Sequence, residues 1–485
     1  MSELNSAILK NLFGKLGVYL IQLLSLIILA RMFEPKVFGI LASISVFLVF
    51  FQLIAEVGIG PALINDGKIS KSEQNGIFTL TLLSGVMIGC VFYFFVRYLS
   101  LFYNDDIYLD LAWLFSLIVP ISCLSIVPTT NLIKDYRFAG LAIIDGVSLL
   151  ISIACTMILS TKLEPIYALA LKSPIYFLAK LILAYIASYS TTSGMPNIGF
   201  DFGAIKRIKS FVKYQLAFSF INYFSRNSDD IVVGKALGST SLGIYSQAYN
   251  IMKYPLQLIT FGMGTAIQAV LTNNRDNVSY LIYEHNKLAK KLMFVSLPIS
   301  LYFIFNSHLI VEVLLGGEWI EVAPILTILA VTIPIQIVTS TTGAFFQVLN
   351  RADLLFKGGL IGATIFVTLI IFSAYFGSLK ATAICVALAF FINSFCTYYI
   401  LFNRGFKISV LVFGKIVLNC FTIMVPYVIF YTFVNEYVVS LISVSNSVFY
   451  QVMLSLVTLI LSSLPYVIII RMKYLVKTDK GYHNG

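Results

Sequence analysis

Apolar runs of roughly twenty residues follow one another along almost the whole chain, and nothing else in the sequence restricts the fold so tightly. About twenty residues of helix cross the ~30 Å of hydrocarbon in a bilayer, and these runs lack the polar alternation of a membrane β-barrel. Hydrocarbon satisfies no backbone donor or acceptor, so a chain that crosses it repeatedly does so as helices. With 59% hydrophobic and 11% charged residues, the 485-residue chain has too little polar surface to clothe a soluble domain. The expected fold is an all-α polytopic membrane protein of about fourteen spans, beginning at roughly 8–30 and 37–64 and ending at roughly 448–471. The first run is too long for a signal-peptide core and no small-residue cleavage site follows it, so a retained helix is expected.

The net charge of +11 is distributed unevenly along the chain. Lys68, Lys71, Lys134, Arg137, Lys206, Arg207, Lys209, Lys213, Lys287, Lys290, Arg351 and Arg404 fall on one side of the expected spans. The other side has only Arg31, Lys36, Arg97, Lys162, Lys235 and Lys380. The positive-inside rule places the richer side, and with it both termini, in the cytoplasm. A basic balance arranged in this way orients a membrane protein and gives no reason to expect nucleic acid as a partner. All six cysteines fall within expected spans without metal-type spacing and read as small buried apolar residues. His285, His308 and His483 lie far apart, and no nucleophile or carboxylate groups with them. No metal, cofactor or catalytic group is expected, and no GxxxxGK[ST] loop is present to hold ATP.

The chain also repeats itself. A shift of 204 residues brings Arg31 onto Lys235, Gly39 onto Gly243, Gly58 onto Gly262, Gly60 onto Gly264 and Ala62 onto Ala266. A second register, shifted by 214, matches Pro120 with Pro334 and Arg137 with Arg351. The offset covers six expected spans, an even number, so both copies cross the membrane in the same direction and define two parallel six-helix lobes. The expected division is an N-terminal lobe at 1–189, a cytoplasmic linker at 190–210 ending in a short interfacial helix, a C-terminal lobe at 211–402, and two appended helices with a tail at 403–485.

Polar residues concentrate on the first helix of each copy. Asn11, Lys15, Tyr19, Gln22 and Ser25 share one helical face, and Gln215, Ser219, Tyr223, Arg226 and Asp229 occupy the same places 204 residues later. Helix 8 adds Ser246, Asn250, Lys253 and Gln257. A charge within hydrocarbon is costly and faces a bundle interior or a wet cavity, so Lys15, Arg226 and Lys253 are expected in a water-filled space between the lobes. For Arg226 the alternative is an ion pair with Asp229 or Asp230 that joins helices and meets no ligand. Lys180 is a further cationic candidate. Glu56, Asp145, Asp229 and Asp230 are candidate coupling carboxylates, with a hydrogen-bonded structural role as the alternative. A net-positive cavity suits a phosphate-bearing substrate.

The run ARMFEPKVFGILASISVFLVFFQLIAEVGIGPALI, with Pro35, Phe38, Gly39, Gly58, Gly60 and Ala62, resembles the opening of bacterial polysaccharide flippases of the Wzx type. So do SRNSDDIVVGKALGSTSLGIYSQAY, NLIKDYRFAGLAIID and FQVLNRADL, and the likeness covers essentially the whole chain. This group belongs to the multidrug/oligosaccharidyl-lipid/polysaccharide exporter superfamily. The resemblance implies a V-shaped pair of lobes, alternating access, and a cationic lumen to which Lys15, Arg226 and Lys253 are matched. It implies an undecaprenyl-diphosphate-linked oligosaccharide substrate carried across the cytoplasmic (inner) membrane for O-antigen, capsule or exopolysaccharide synthesis. A polysaccharide polymerase and a chain-length regulator are the implied protein partners, and the last two helices are the implied groove for the lipid tail. Two other readings compete. A cation-coupled multidrug exporter would share the repeat but would favour cationic drugs, which a basic lumen repels. A membrane polymerase or ligase would need a long external loop with catalytic residues, and the expected external loops are short.

Overall fold

A computed structural model describes residues 3–56, 59–60, 63, 69–260, 263–442, 451, 455 and 457–459; the side chains of 3–13, 204–222 and scattered positions from 225 to 442 are excluded from that description. Outside it therefore lie Gly58, Ala62 and Gly262, the side chains of Asn11, Gln215 and Ser219, and most of the last expected span. Among the described residues there is no strand, and a helix stands at every earlier expected span. These are α1 (Glu3–Ala30), α2 (Pro35–Glu56), α3 (Lys71–Tyr103), α4 (Ile107–Lys134), α5 (Phe138–Leu159), α6 (Pro165–Ser188), α7 (203–237) and α8 (239–260). There follow α9 (Val278–Phe305), α10 (Val322–Ala330 with Ile333–Val348), α11 (Ala352–Ala374), α12 (Leu379–Phe406) and α13 (Leu411–Ile442). Among the described residues eight helices are long and apolar enough to cross a membrane, or nine when the two parts of α10, bent by 48°, form one span. The protein is a multi-pass membrane protein.

Three of these helices break for one reason. Proline has no N–H to offer the carbonyl four residues earlier, so that carbonyl loses its intrahelical partner. Pro120 follows a helical segment ending at Ser116, Pro174 one ending at Ala170, and Pro334 one ending at Ala330. Two of the freed carbonyls have clear surroundings. In α10, Ala330 O accepts the hydroxyl of Ser300 on α9 at 2.7 Å. In α4, Ser116 O lies against Gly89 of α3, where a Cβ would come within 2.8 Å, and Gly85 one turn earlier meets Pro120 as closely. Small residues four apart on α3 thus receive the bent face of α4.

The duplication is legible in the local geometry. Tyr136 and Asn350, matched by the 214 shift, are both left-handed, with φ of 56° and 55°. The arginine after each then binds chain 53 residues further on: Arg137 donates to the Ser190 hydroxyl and carbonyl, and Arg351 to the Arg404 carbonyl at 3.4 Å. Ser190 and Arg404 are themselves 214 apart. Both copies therefore close a helix pair with the same turn and the same arginine.

The chain divides into two compact units, Met1–Gln247 with Phe366–Thr382, and Ala248–Ile365 with Ala383–Gly485. In the first unit α7 and the first turns of α8 pack with the helices before them. The Tyr223 hydroxyl donates to Val46 O, and Phe50 meets Phe224 with ring centroids 4.7 Å apart. Within this unit Ile44, Leu48 and Phe51 of α2 join Phe92 and Val96 of α3 and Phe115 and Val119 of α4 in a continuous core. In the second unit Asn306, just beyond α9, donates to the Tyr431 hydroxyl of α13 at 2.7 Å, and Tyr302 meets Ser455 at 3.0 Å.

The stretch expected as a linker with its own interfacial helix differs from that expectation. No glycine or proline interrupts 204–233, so its basic residues open α7 directly, while 190–193 turns and 194–202 runs without helix or strand along the ends of α3, α4 and α6. Lys71 Nζ donates to the carbonyls of Ser193 and Met195, and Asn75 and Thr79 accept the amides of Asn197 and Gly199 at 2.9 Å each. Asn131 donates to Gly194 O, and Asp135 accepts the Thr192 amide at 2.8 Å and its hydroxyl at 2.6 Å. Partial burial works to raise the Asp135 carboxyl, but these two bonds and the charge of Arg137 outweigh it and hold the group below its ordinary 3.8.

Two outcomes are expected. Ser300→Ala leaves the Ala330 carbonyl without its donor and should lower stability by about 1–2 kcal/mol, read as thermal unfolding in detergent. Asp135→Ala should speed chymotryptic cleavage after the exposed Phe200 several-fold at pH 7. A depressed folded pKa means the strap is stabilised by Asp135 above the ordinary carboxylate value and loses that contribution as pH falls through the lower folded value. Amide exchange at Thr192 should show protection lost in that acidic window.

Candidate functional site

Three of the sequence-predicted residues converge in the first unit. Tyr176 and Lys180 are four apart on α6 and so share a face, which meets Asp145 of α5. Lys180 Nζ lies 2.8 Å from Asp145 Oδ1, with the two side chains 24% and 31% exposed. The Tyr176 hydroxyl donates to the same oxygen at 3.2 Å, and the ammonium lies 5.8 Å from the Tyr176 ring centroid. Glu56, the last residue of α2, lies near Ser122 of α4, whose hydroxyl donates to Val119 O at 2.9 Å, and feels the charge of Lys180. Four helices thus contribute to one polar cluster that holds two carboxylates and one ammonium. Its chemistry is that of ion exchange: a proton or cation can neutralise a carboxylate, and an ammonium released from Asp145 can meet another anion.

The stripe on α1 and α7 changes character along its length. Lys15, Gln22 and Arg226 are exposed, and Tyr19 and Tyr223 are half-buried. Ser25 and Asp229, equivalent under the 204 shift, are both buried. Asp229 accepts the Tyr245 hydroxyl of α8 at 2.8 Å. Asp230, half-buried, is close enough to act electrostatically on Tyr103 and Tyr223. In the second unit Lys253 Nζ stands 4.1 Å from the ring centroid of Tyr249, one turn earlier on α8, and Asn250 is exposed. A ring face attracts a cation through its quadrupole. The side chains of Asn11 and Gln215 are outside the described residues.

Sequence reasoning passed over Tyr176, Ser122, Tyr245 and Tyr249. A signal for two of them was present, since Tyr-x-x-x-Lys occurs at Tyr176–Lys180 and again at Tyr249–Lys253. Ser122 and Tyr245 join their carboxylates only through packing between helices. His285 is fully buried among the rings of Phe345, Tyr398, Phe402, Phe406 and Phe413, with Asn286 Oδ1 3.2 Å from its Nδ1. Among the described residues no three His, Cys, Asp or Glu side chains group as metal ligands.

Taken with the fold, these features define a polytopic helical membrane protein with ionisable groups gathered inside its helical bundles. The fold resembles that of the lipid II flippase MurJ solved in an inward closed conformation: the TM-score is 0.76 at 15% identity, covering 96% of this chain and 99% of that one. Residues 28–324 match the family described as polysaccharide biosynthesis protein, and the chain belongs to that family. The teichuronic acid biosynthesis protein TuaB of Bacillus subtilis (strain 168) is 25% identical over 308 residues, which are 64% of this chain and 63%, under two thirds, of TuaB. The lipopolysaccharide biosynthesis protein WzxC of Escherichia coli (strain K12) is 23% identical over 399 residues, 80% of this chain and 77% of WzxC. The resemblance to Wzx-type flippases read from the motifs is borne out.

The Lys180–Asp145 pair separates structure from function in a double-mutant cycle. Lys180→Met alone should destabilise the protein in detergent, because it strands a partly buried carboxylate. Adding Asp145→Asn should recover most of the loss, with a coupling of about 1–3 kcal/mol between the sites. A coupling near zero would show that the pair contributes nothing to the packing.

Proposed function

We propose that the protein is a flippase that carries undecaprenyl-diphosphate-linked oligosaccharide units from the cytoplasmic to the outer leaflet of the cytoplasmic membrane, for O-antigen, capsule or exopolysaccharide synthesis. The observation that carries this reading is membership of the polysaccharide biosynthesis family along residues 28–324. The cations within the spans support it, since an ammonium or guanidinium in a medium of low dielectric meets a diphosphate with little screening. Lys15, Arg226, Lys253 and Lys180 are the groups assigned to the phosphates and sugars. Tyr19, Gln22, Tyr223 and Asn250, together with Asn11 and Gln215, supply polar contacts along the path. Alternating access moves the headgroup while the polyprenyl chain stays in lipid, and no bond is made or broken. Glu56 and Asp145, with Asp229 and Asp230 as further candidates, are the carboxylates through which a cation gradient would drive the cycle. Both termini are assigned to the cytoplasm from the charge bias, and a polymerase and chain-length regulator are proposed to work on the exported units.

Lys15→Ala and Arg226→Ala are expected to abolish polymer export in a complemented deletion strain while protein level in the membrane stays unchanged. Lipid-linked repeat units should accumulate on the cytoplasmic face. Wild-type export from both variants would remove the assigned site.

A further inference from the structure

The two glycines that first revealed the repeat touch each other. A Cβ on Gly39 of α2 would come within 1.7 Å of Ser239 O and 2.9 Å of Gly243 N, and one on Gly243 of α8 within 2.0 Å of Pro35 O and 3.2 Å of Gly39 N. Pro35 and Ser239 are themselves 204 apart, as are Gly39 and Gly243. Each copy therefore offers the same glycine to the same carbonyl of the other, the reciprocity of a two-fold contact. No side chain other than hydrogen fits at either centre, so the two backbones meet directly.

The contact involves the first turn of both helices. The charge bias puts the connections before α2 and before α8 outside the membrane, so the crossing marks the outer ends of these helices. Further along, α2 continues against α7 through Val46 with Tyr223 and Phe50 with Phe224. Beside the crossing, a single residue separates α7 from α8: Gly238 has φ of 85° and no atom within 4 Å of where its Cβ would stand. It provides a joint about which α8 can turn, in a conformation that other residues adopt only with strain.

We infer that the Gly39–Gly243 crossing is a clasp on the outer side, opened once per cycle by movement of α8 at Gly238. The inference rests on the alternating-access reading above, which requires the outer ends of the two copies to part before a sugar-bearing headgroup can leave. The glycines let the clasp shut to backbone distance. Because the contact is made by flat backbone rather than interdigitated side chains, it can part without unpicking a packed core.

Two measurements test this, in a background where the six native cysteines are replaced by alanine. A reporter cysteine at Phe50 in intact cells should react slowly with a membrane-impermeant maleimide. With Gly39→Val or Gly243→Val it should react about tenfold faster, and by a similar factor for either, as the reciprocity requires. Gly17→Val, with nothing within 4 Å of its added Cβ, should leave the rate unchanged. Labelling unaffected by both clasp variants would overturn the proposal. The second measurement leaves the glycines intact: Lys36→Cys with Thr240→Cys, exposed positions that are also 204 apart, are joined by a short reducible thiol cross-linker. Cross-linked protein should lose export and regain it on reduction; undiminished export from fully cross-linked protein would also overturn the clasp. The labelling arm requires no substrate, so faster labelling in a strain whose polysaccharide is unaffected by deletion would retain the clasp and reject the substrate.

Discussion

Hydrocarbon offers nothing to a bare amide or carbonyl, and that constraint decides how this chain can afford to be irregular. Where a proline breaks a helix, the surrounding helices adjust to the carbonyl it frees. Pro334 frees the Ala330 carbonyl and Ser300 meets it; Pro120 frees the Ser116 carbonyl, which lies against Gly89. The bends in turn fix where other helices can approach, so the positions of Gly85, Gly89 and Ser300 follow from the prolines they face. Function inherits the same rule. A membrane protein keeps ammonium and carboxylate groups within its spans by giving them partners, as in Lys180 with Asp145.

Duplication explains why the irregularities come in pairs. A left-handed residue before an arginine, followed by an arginine that binds chain 53 residues on, recurs at Tyr136–Arg137 and Asn350–Arg351. Tyrosine is an unusual occupant of positive φ, where asparagine is common, so the turn has kept its geometry in both copies although its residues differ. The stripe residues behave likewise. Ser25 and Asp229 are buried and Gln22 and Arg226 exposed, so the repeat preserves environment while the second copy adds charge.

Features with a local cause were open to reading from the sequence. Span positions follow from apolar length, the start of α3 at Lys71 from the capping box of Ser70 and Glu73, and the helix breaks from proline. The shared face of Tyr176 and Lys180 also follows from spacing. What escaped were contacts set by helices far apart in sequence: Ser122 at Glu56, Tyr245 at Asp229, and the placement of α7 with the first unit. No periodicity encodes them, because which stripe faces which neighbour depends on how the bundle closes. The hold on the segment at 190–202 is hidden from the sequence for a related reason. Its Gly, Ser and Thr content resembles that of a loose tether, but the groups that hold it lie on α3 and α4.

That strap has a practical meaning for anyone who would modify the protein. A connection rich in small polar residues is the usual place to splice in a fluorescent domain or a protease site, yet here each of several backbone groups already has an assigned donor or acceptor. An insert would have to tear these away. The short turn at Arg275–Asp276, where both side chains project into the open and no such ladder exists among the described residues, is the gentler point of entry for a tag or a reporter.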